Sequence, residues 1–405
     1  MKILFLCNKP PYPASEGGPM AMNSIITGLL NAGHKVKILA INSKKYNVSE
    51  SDIPAEYKQK TGIELIDVDL RVKPVNAFLN LFTNKSYHVE RFISKDFEKR
   101  LIEVLKEGQY DVVQLEMLFM APYTDIIRKH SKALIVLRAH NVEHKIWERI
   151  AKETKFAPKR WYINHLARTL REYELNALES VDGIAAITRK DAATFRKYSS
   201  KPITDIPFGI NPEDFTPNYE IEGKPRFYHI GSMNWMPNEE GIKWFINNVL
   251  SATIEKVPDF TFSLAGRNMP DWLTNLKDKH IEVVGEVTDA KEFVANHDVA
   301  IVPLLSGSGI RIKIIESMAM GKTVITTLVG AEGILYDEDV NIIIAESKAK
   351  MVEAIRRINE NPEIAVEIGK AARKLIEERY DNKKIIERLL LFYEQIKPSS
   401  KISFI

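Results

Sequence analysis

"DVAIVPLLSGSGIRIKIIESMAMGKTVITT", residues 298–327, contains one full unit of the pattern that decides the fold. An apolar run ends at Pro303, and a loop of small residues, LLSGSGI, follows it. A stretch of helical period then runs to Met320. Gly321 stops it, and a β-branched run, TVITT, comes next. Strand, helix and strand in that order give a parallel pair joined by a crossover. The middle of the unit carries a conflict. Arg311 and Lys313 stand where the helix should begin, and a cation there opposes the helix dipole by roughly 0.3–1 kcal/mol. Glu316 sits between Ile315 and Met318, and a carboxylate in apolar surroundings needs a partner. An anionic ligand would resolve both. It would meet the two cations and the backbone N–H groups of Ser308, Gly309 and Ile310, while Glu316 would accept from two adjacent ribose hydroxyls. The plainer alternative is a Lys313–Glu316 pair on a half-exposed helix, with Arg311 in solvent.

The same alternation runs through the chain. Short β-type runs fall at 2–7, 36–41, 111–116, 133–138 and 183–188, and again at 227–231, 260–266, 281–285, 298–303, 323–327 and 341–345. Helical patterns fill the intervals, such as 20–32, 90–107 and 161–179. Repeated strand–helix–strand units predict an α/β protein with parallel sheets covered on both faces. The pattern breaks once, over the Pro-, Gly- and Asp-rich stretch 199–225, which reads as an interdomain crossover. Two domains are therefore expected, as 405 residues also suggest. The first spans 1–205 and the second 206–380. A net charge of +3 gives no argument for nucleic acid. The one cysteine, Cys7, ends an apolar run, so no internal disulfide forms and a core position is expected. No apolar run approaches membrane-spanning length. The expected location is the cytoplasm.

In open parallel sheets, ligands bind beyond the carboxyl ends of the strands, so three further loops carry the functional signal. After the first run, NKPPYPASEGGPM (8–20) places Gly17 and Gly18 at a helix start, an anion-binding arrangement or an ordinary turn. The spacing is not that of a dinucleotide fold. After ALIVLR, the loop RAHNVEH crowds Arg138, His140, Asn141 and Glu143 at one strand end. His140 is the candidate to bond a ligand hydroxyl or stabilise developing positive charge. The alternative makes Asn141 a helix cap and His140 a turn residue. His140, Glu143 and His144 lack metal-site spacing and a third ligand, so no metal is expected. After the first strand of the second half, Gly231 opens GSMNWMPNEEGIKWF (231–245).

Together these residues resemble the retaining GT-B glycosyltransferases of family 4 type (glycosyl transferases group 1), the large group that includes sucrose synthase. The resemblance rests on EGGPMAMNSIITGLLNAGHKVKIL, on FGINPEDFTP and, most specifically, on GIRIKIIESMAMGKTVITTLVGAEGI. It implies two Rossmann-like domains facing a cleft, the first holding an acceptor and the second a nucleotide-diphosphate sugar. A C-terminal helix over 381–397 would pack back on the first domain. It implies that Glu316 holds the donor ribose. A second glutamate often stands eight residues earlier in such enzymes. That place is Ser308 here, which leaves the donor sugar to the amides of Gly309 and Ile310. The Arg and Lys usual after the second domain's first strand are replaced by about Ser232 and Asn238, so Arg311 and Lys313 are expected to supply the charge on the diphosphate. His140 matches the histidine near the transferred sugar.

What the resemblance implies is retaining glycosyl transfer to a glycan or lipid-linked acceptor in cell-envelope polysaccharide synthesis, with no cofactor and no obligatory metal. Two rivals are a sugar-nucleotide epimerase of the same architecture and an inactive sugar-nucleotide-binding protein. Two stretches, 71–92 and 156–174, mix cations with apolar residues. They suit a peripheral contact with the inner face of a membrane as well as an ordinary solvated surface.

Overall fold

The computed structural model describes residues 1–14, 17–307 and 309–397. The chain divides into two compact units. Met1–Gly209 and the chain from Ile385 onward form the first, and Ile210–Lys384 the second.

The first unit is built on seven parallel strands. They are β1 (Lys2–Cys7), β2 (Lys35–Asn42), β3 (Glu64–Asp67), β4 (Val112–Glu116), β5 (Leu134–Ala139), β6 (Gly183–Ala186) and β7 (Ile203–Asp205), in the spatial order β3-β2-β1-β4-β5-β6-β7. β1 shows why the inner strands read as unbroken apolar runs. Leu4 and Leu6 join the core on one face of the sheet, and Ile3, Phe5 and Cys7 join the core on the other. A strand buried on both faces has no polar side to alternate with. Cys7 is fully buried, as expected.

Two of the seven strands, β3 and β7, are absent from the sequence pattern. Both are edge strands of three or four residues and only half-buried. With one neighbour each, they need little apolar surface. β7 also takes the start of the stretch read as a crossover into the first sheet.

The second unit has six parallel strands: β8 (Phe227–Ile230), β9 (Phe262–Ala265), β10 (Ile281–Gly285), β11 (Val299–Val302), β12 (Thr323–Thr326) and β13 (Ile343–Ile344). Their order is β10-β9-β8-β11-β12-β13. Here β11 and β12 pair in register from Val299↔Thr323 to Val302↔Thr326, joined by the helix Ile312–Ala319.

Strand order reverses between β1 and β4 in the first sheet and between β8 and β11 in the second. Those reversals open a crevice at the carboxyl end of each sheet. In the first unit that end holds the helix start at Gly17 and Gly18 and the loop of His140, and in the second it holds Gly231 and residues 303–307 and 309–311.

Candidate active site

In the second unit the centre is Lys313, in the first turn of the helix Ile312–Ala319. No acidic residue occupies that turn and no side chain caps it. The ammonium does not pair with Glu316. It donates to Asn238 Oδ1 at 2.7 Å and contacts His229 Nε2 at 3.3 Å. His229 is fully buried in β8, and its Nδ1 lies 2.8 Å from the carbonyl of Ile301. Nδ1 must therefore donate, which leaves Nε2 as an acceptor for the lysine. Burial first, then Lys313, holds His229 well below its usual range, so it stays neutral. Asn238 donates its amide to Ser232 O at 2.8 Å, which turns Oδ1 toward Lys313. Burial, with Arg311 close by and Glu316 in partial opposition, brings the Lys313 ammonium down to about 7. A Cβ on Gly231 would land on Lys313 Nζ, so only glycine lets the ammonium lie against the strand end.

Arg311 is buried, not in solvent. Its guanidinium donates to the carbonyl of Gly309 and, at 3.2 Å, to that of Val329, and it lies 5.6 Å from the centre of the Trp235 ring. It ties three loops together, those after β8, β11 and β12. Gly309 is exposed and Ile310 half-buried. Both lie in the loop ahead of the helix, which begins at Ile312, slightly later than its pattern suggests. Ser308 lies outside the described residues. Glu316 is half-buried one turn along. Burial pushes its carboxyl up, partly offset by Lys291 and Lys313. Among the described residues no hydrogen bond or ion pair engages that carboxylate.

The first unit gathers a different set. Gly17 and Gly18 form the first turn of the helix Gly17–Asn31. Lys9 stretches over Gly18, its amine 3.0 Å from where a Cβ would stand. Behind them lies a buried polar network. His140 Nε2 donates to Glu116 Oε2 at 2.6 Å, and Arg138 Nη1 donates to the same oxygen at 3.3 Å and to Ala21 O at 3.2 Å. Gln114 donates to Glu116 Oε1 at 2.6 Å and accepts from the Tyr393 hydroxyl. Burial works to raise the Glu116 carboxyl, but Arg138 and His140 outweigh it and hold it below the usual range. Burial lowers His140, against the pull of Glu116 and with help from Arg138 and Lys9. A neutral imidazole that donates through Nε2 keeps Nδ1 as an acceptor. Asn141 does not cap the next helix, Glu143–Glu153. Glu174 does so instead, accepting from the backbone N–H of Glu143 and His144 at 2.9 and 3.1 Å and contacting His144 Nδ1 at 2.5 Å. Among the described residues no group of three or more His, Cys, Asp or Glu side chains is arranged to hold a metal.

Residues 224–361 match the family model described as glycosyl transferases group 1, a segment that lies inside the second unit and contains the Lys313 and Glu316 constellation. Over that segment the chain is similar to the glycosyl transferases group 1. A protein of Klebsiella pneumoniae, described as an uncharacterized 44.6 kDa protein in the cps region, is 22% identical over 96% of this chain and 98% of its own. Sucrose-phosphate synthase from Thermosynechococcus elongatus shares the fold over 98% of this chain and 99% of its own, with a TM-score of 0.69 at 16% identity. HepE of Anabaena, solved with UDP, covers 98% of this chain and 100% of its own, with a TM-score of 0.64 at 13% identity. TarM of S. aureus, in complex with fondaparinux, α-GlcNAc-glycerol and UDP, covers 97% of this chain and 100% of its own, with a TM-score of 0.65 at 13% identity.

Several residues of this candidate site escaped the sequence reading: His229, Lys9, Glu116 and Gln114. His229 and Asn238 stand 84 and 75 positions from Lys313, so local spacing could not join them. Gln114 and Glu116 did leave a signal. They alternate along VVQLE, a strand otherwise apolar on both faces. Polar residues there must be satisfied inside the fold.

Proposed function

We propose that this chain is a GT-B glycosyltransferase of the retaining, family 4 type. It would transfer a sugar from a nucleotide-diphosphate sugar to a glycan or lipid-linked acceptor in cell-envelope polysaccharide synthesis. The observation that carries the reading is an oriented ammonium and an unengaged carboxylate within one turn of a single helix start. A nucleotide diphosphate presents the complement of that pair, an anion for Lys313 and a ribose diol for Glu316. The binding of UDP and UDP-glucose by HepE supports this donor class. The cps-region relative supports the envelope pathway.

In this reading the second unit holds the donor. Lys313 and the N–H groups of its helix start meet the leaving diphosphate, and Arg311 holds the Gly309 loop in place for them. Preorganised charge aimed at a leaving group is electrostatic catalysis. The bond from the anomeric carbon to the phosphate oxygen breaks, and a bond to the acceptor oxygen forms on the same face. The acceptor's proton passes to the departing phosphate, so no protein nucleophile and no obligatory metal enter. Gly17 and Gly18 of the first unit are assigned to the donor, with Gly18 at its diphosphate, and Lys9 and His140 to the acceptor and the transferred sugar, with His140 Nδ1 available to a hydroxyl.

A thermal-shift screen of UDP-, GDP- and ADP-sugars identifies the donor. Glu316→Ala should then weaken that donor roughly 10–100-fold, the worth of one or two hydrogen bonds to a charged group. Arg311→Ala should lower mainly turnover. Unchanged donor affinity in a folded Glu316→Ala protein would remove the assignment. NMR of the product's anomeric centre tests retention. Conversion of the donor without acceptor would favour the epimerase.

A further inference from the structure

The helix Pro74–Asn80 faces the wrong way for a helix in water. Its buried residue is Asn80, while Val75, Phe78 and Leu79 are each more than half exposed, as are Val72 before it and Phe82 after it. A surface helix ordinarily turns its apolar side inward. This one turns in an amide, which donates to Thr83 Oγ1, Lys85 O and Glu90 Oε2 at 3.1–3.2 Å. The orientation is pinned. The Tyr87 hydroxyl accepts from Lys73 N at 2.9 Å and donates to Lys73 O at 3.2 Å, and Arg91 donates to Leu70 O at 2.9 Å. Phe78 and Phe82 meet edge to face, 5.5 Å between centroids, on the outer side.

Cations frame this face. Arg71, Lys73 and Lys85 are exposed, and Asp69 and Glu90 answer part of their charge. A second stretch repeats the chemistry at the start of the helix Ala157–Ser180. Phe156 and Trp161 are exposed there, among exposed Lys155, Lys159 and Arg160. Among the described residues no ion pair engages those three cations. Tyr162 interacts electrostatically with Tyr87 and Arg91, and the helix Tyr87–Glu90 packs on Ala157–Ser180, so both stretches share one flank of the first unit.

Apolar side chains held outward among cations match one surface, an anionic bilayer. Aromatic and aliphatic groups enter the boundary between headgroups and acyl chains, and Lys and Arg meet lipid phosphates. A second copy of the chain suits it less, because a two-fold contact would set the same cations against each other. No helix among the described residues is long and apolar enough to cross a membrane, so the contact lies on the surface. We propose that residues 72–82 and 156–161 form a docking surface for anionic phospholipid.

The test is co-sedimentation of the full chain with phosphatidylcholine vesicles, with and without phosphatidylglycerol. It needs no sugar donor, so its outcome is independent of the proposed reaction. Binding should require phosphatidylglycerol and weaken as salt rises. Phe78→Ser with Phe82→Ser should lower the partition coefficient about tenfold or more. Lys159→Glu with Arg160→Glu should also lower it, by a route that leaves the apolar face intact. All four side chains are exposed, so thermal melts should match the parent's. Equal binding to both vesicle types, binding to neither, or unchanged binding in both variants would overturn the proposal. So would a concentration-dependent dimer that the phenylalanine substitutions abolish.

Discussion

Lys313 reports on whatever anion stands beside it. Burial and Arg311 set its ammonium near 7, so in the free protein it is half-charged at neutral pH. A bound diphosphate would restore the charge and raise the pKa, because an opposite charge favours the ionised form. The sign of the linkage follows. Below pH 7 the lysine is already protonated and donor binding takes up little. Above pH 7 binding draws a proton from solvent, approaching one per site, and donor affinity falls about tenfold per pH unit. A nucleotide-diphosphate sugar has no ionisation of its own in that window. Calorimetry at pH 6 and pH 8, in two buffers of different ionisation enthalpy, reads the proton directly. Lys313→Met should abolish the uptake and lower kcat by roughly 10²–10³-fold. Identical uptake in parent and variant would move the titrating group elsewhere.

At the level of elements, the ends of β8 and β9 separate binding from folding at two glycines. A Cβ on Gly231 would strike Lys313 Nζ and Asn238 Nδ2, both at the ends of flexible side chains. Gly231→Ala should therefore fold with a Tm close to the parent's and lose donor affinity, about tenfold, as the ammonium is pushed aside. Gly266 has a φ of +147° and a Cβ there would strike the carbonyl of Gly231, which is backbone and cannot yield. Gly266→Ala should lose roughly 1–3 kcal/mol of stability, seen as a lower denaturation midpoint. Equal Tm values for the two variants would contradict this division. The same elements show what the sequence made legible. Inner strands such as β1 and β11 declare themselves because both faces are buried. The edge strands β3 and β7 carry no such signature. The conflict of Arg311, Lys313 and Glu316 at one helix start pointed to the candidate site, since three charges there break a local rule. Their partners were hidden, because the groups that orient Lys313 come from another strand and another helix, and a pattern read along the chain cannot register contacts across a sheet.

For the whole molecule, the decisive segment is the last described helix, Asn382–Gln395. It starts in the second unit, and from Ile385 onward it belongs to the first. There Ile385, Ile386, Leu389, Phe392 and Tyr393 complete the core under one face of the first sheet. Phe392 lies so close to Gly183 in β6 that a Cβ at that glycine would be 2.8 Å from its ring. Tyr393 reaches Gln114, which in turn holds Glu116 for His140. The helix therefore closes a core and braces the candidate histidine. At about 1.5–3 kcal/mol per buried side chain, these five contribute on the order of 7–15 kcal/mol. That is comparable with the whole stability of an ordinary domain. Truncation after Lys384 should leave the second unit folded, with its donor-induced thermal shift, and the first unit open to protease. Phe392→Ala alone should cost about 3–5 kcal/mol and lower the melting of the first unit only. If the truncated chain melts in the same way as the full one and resists protease along its first 209 residues, the helix is an appendage and His140 is braced by other contacts.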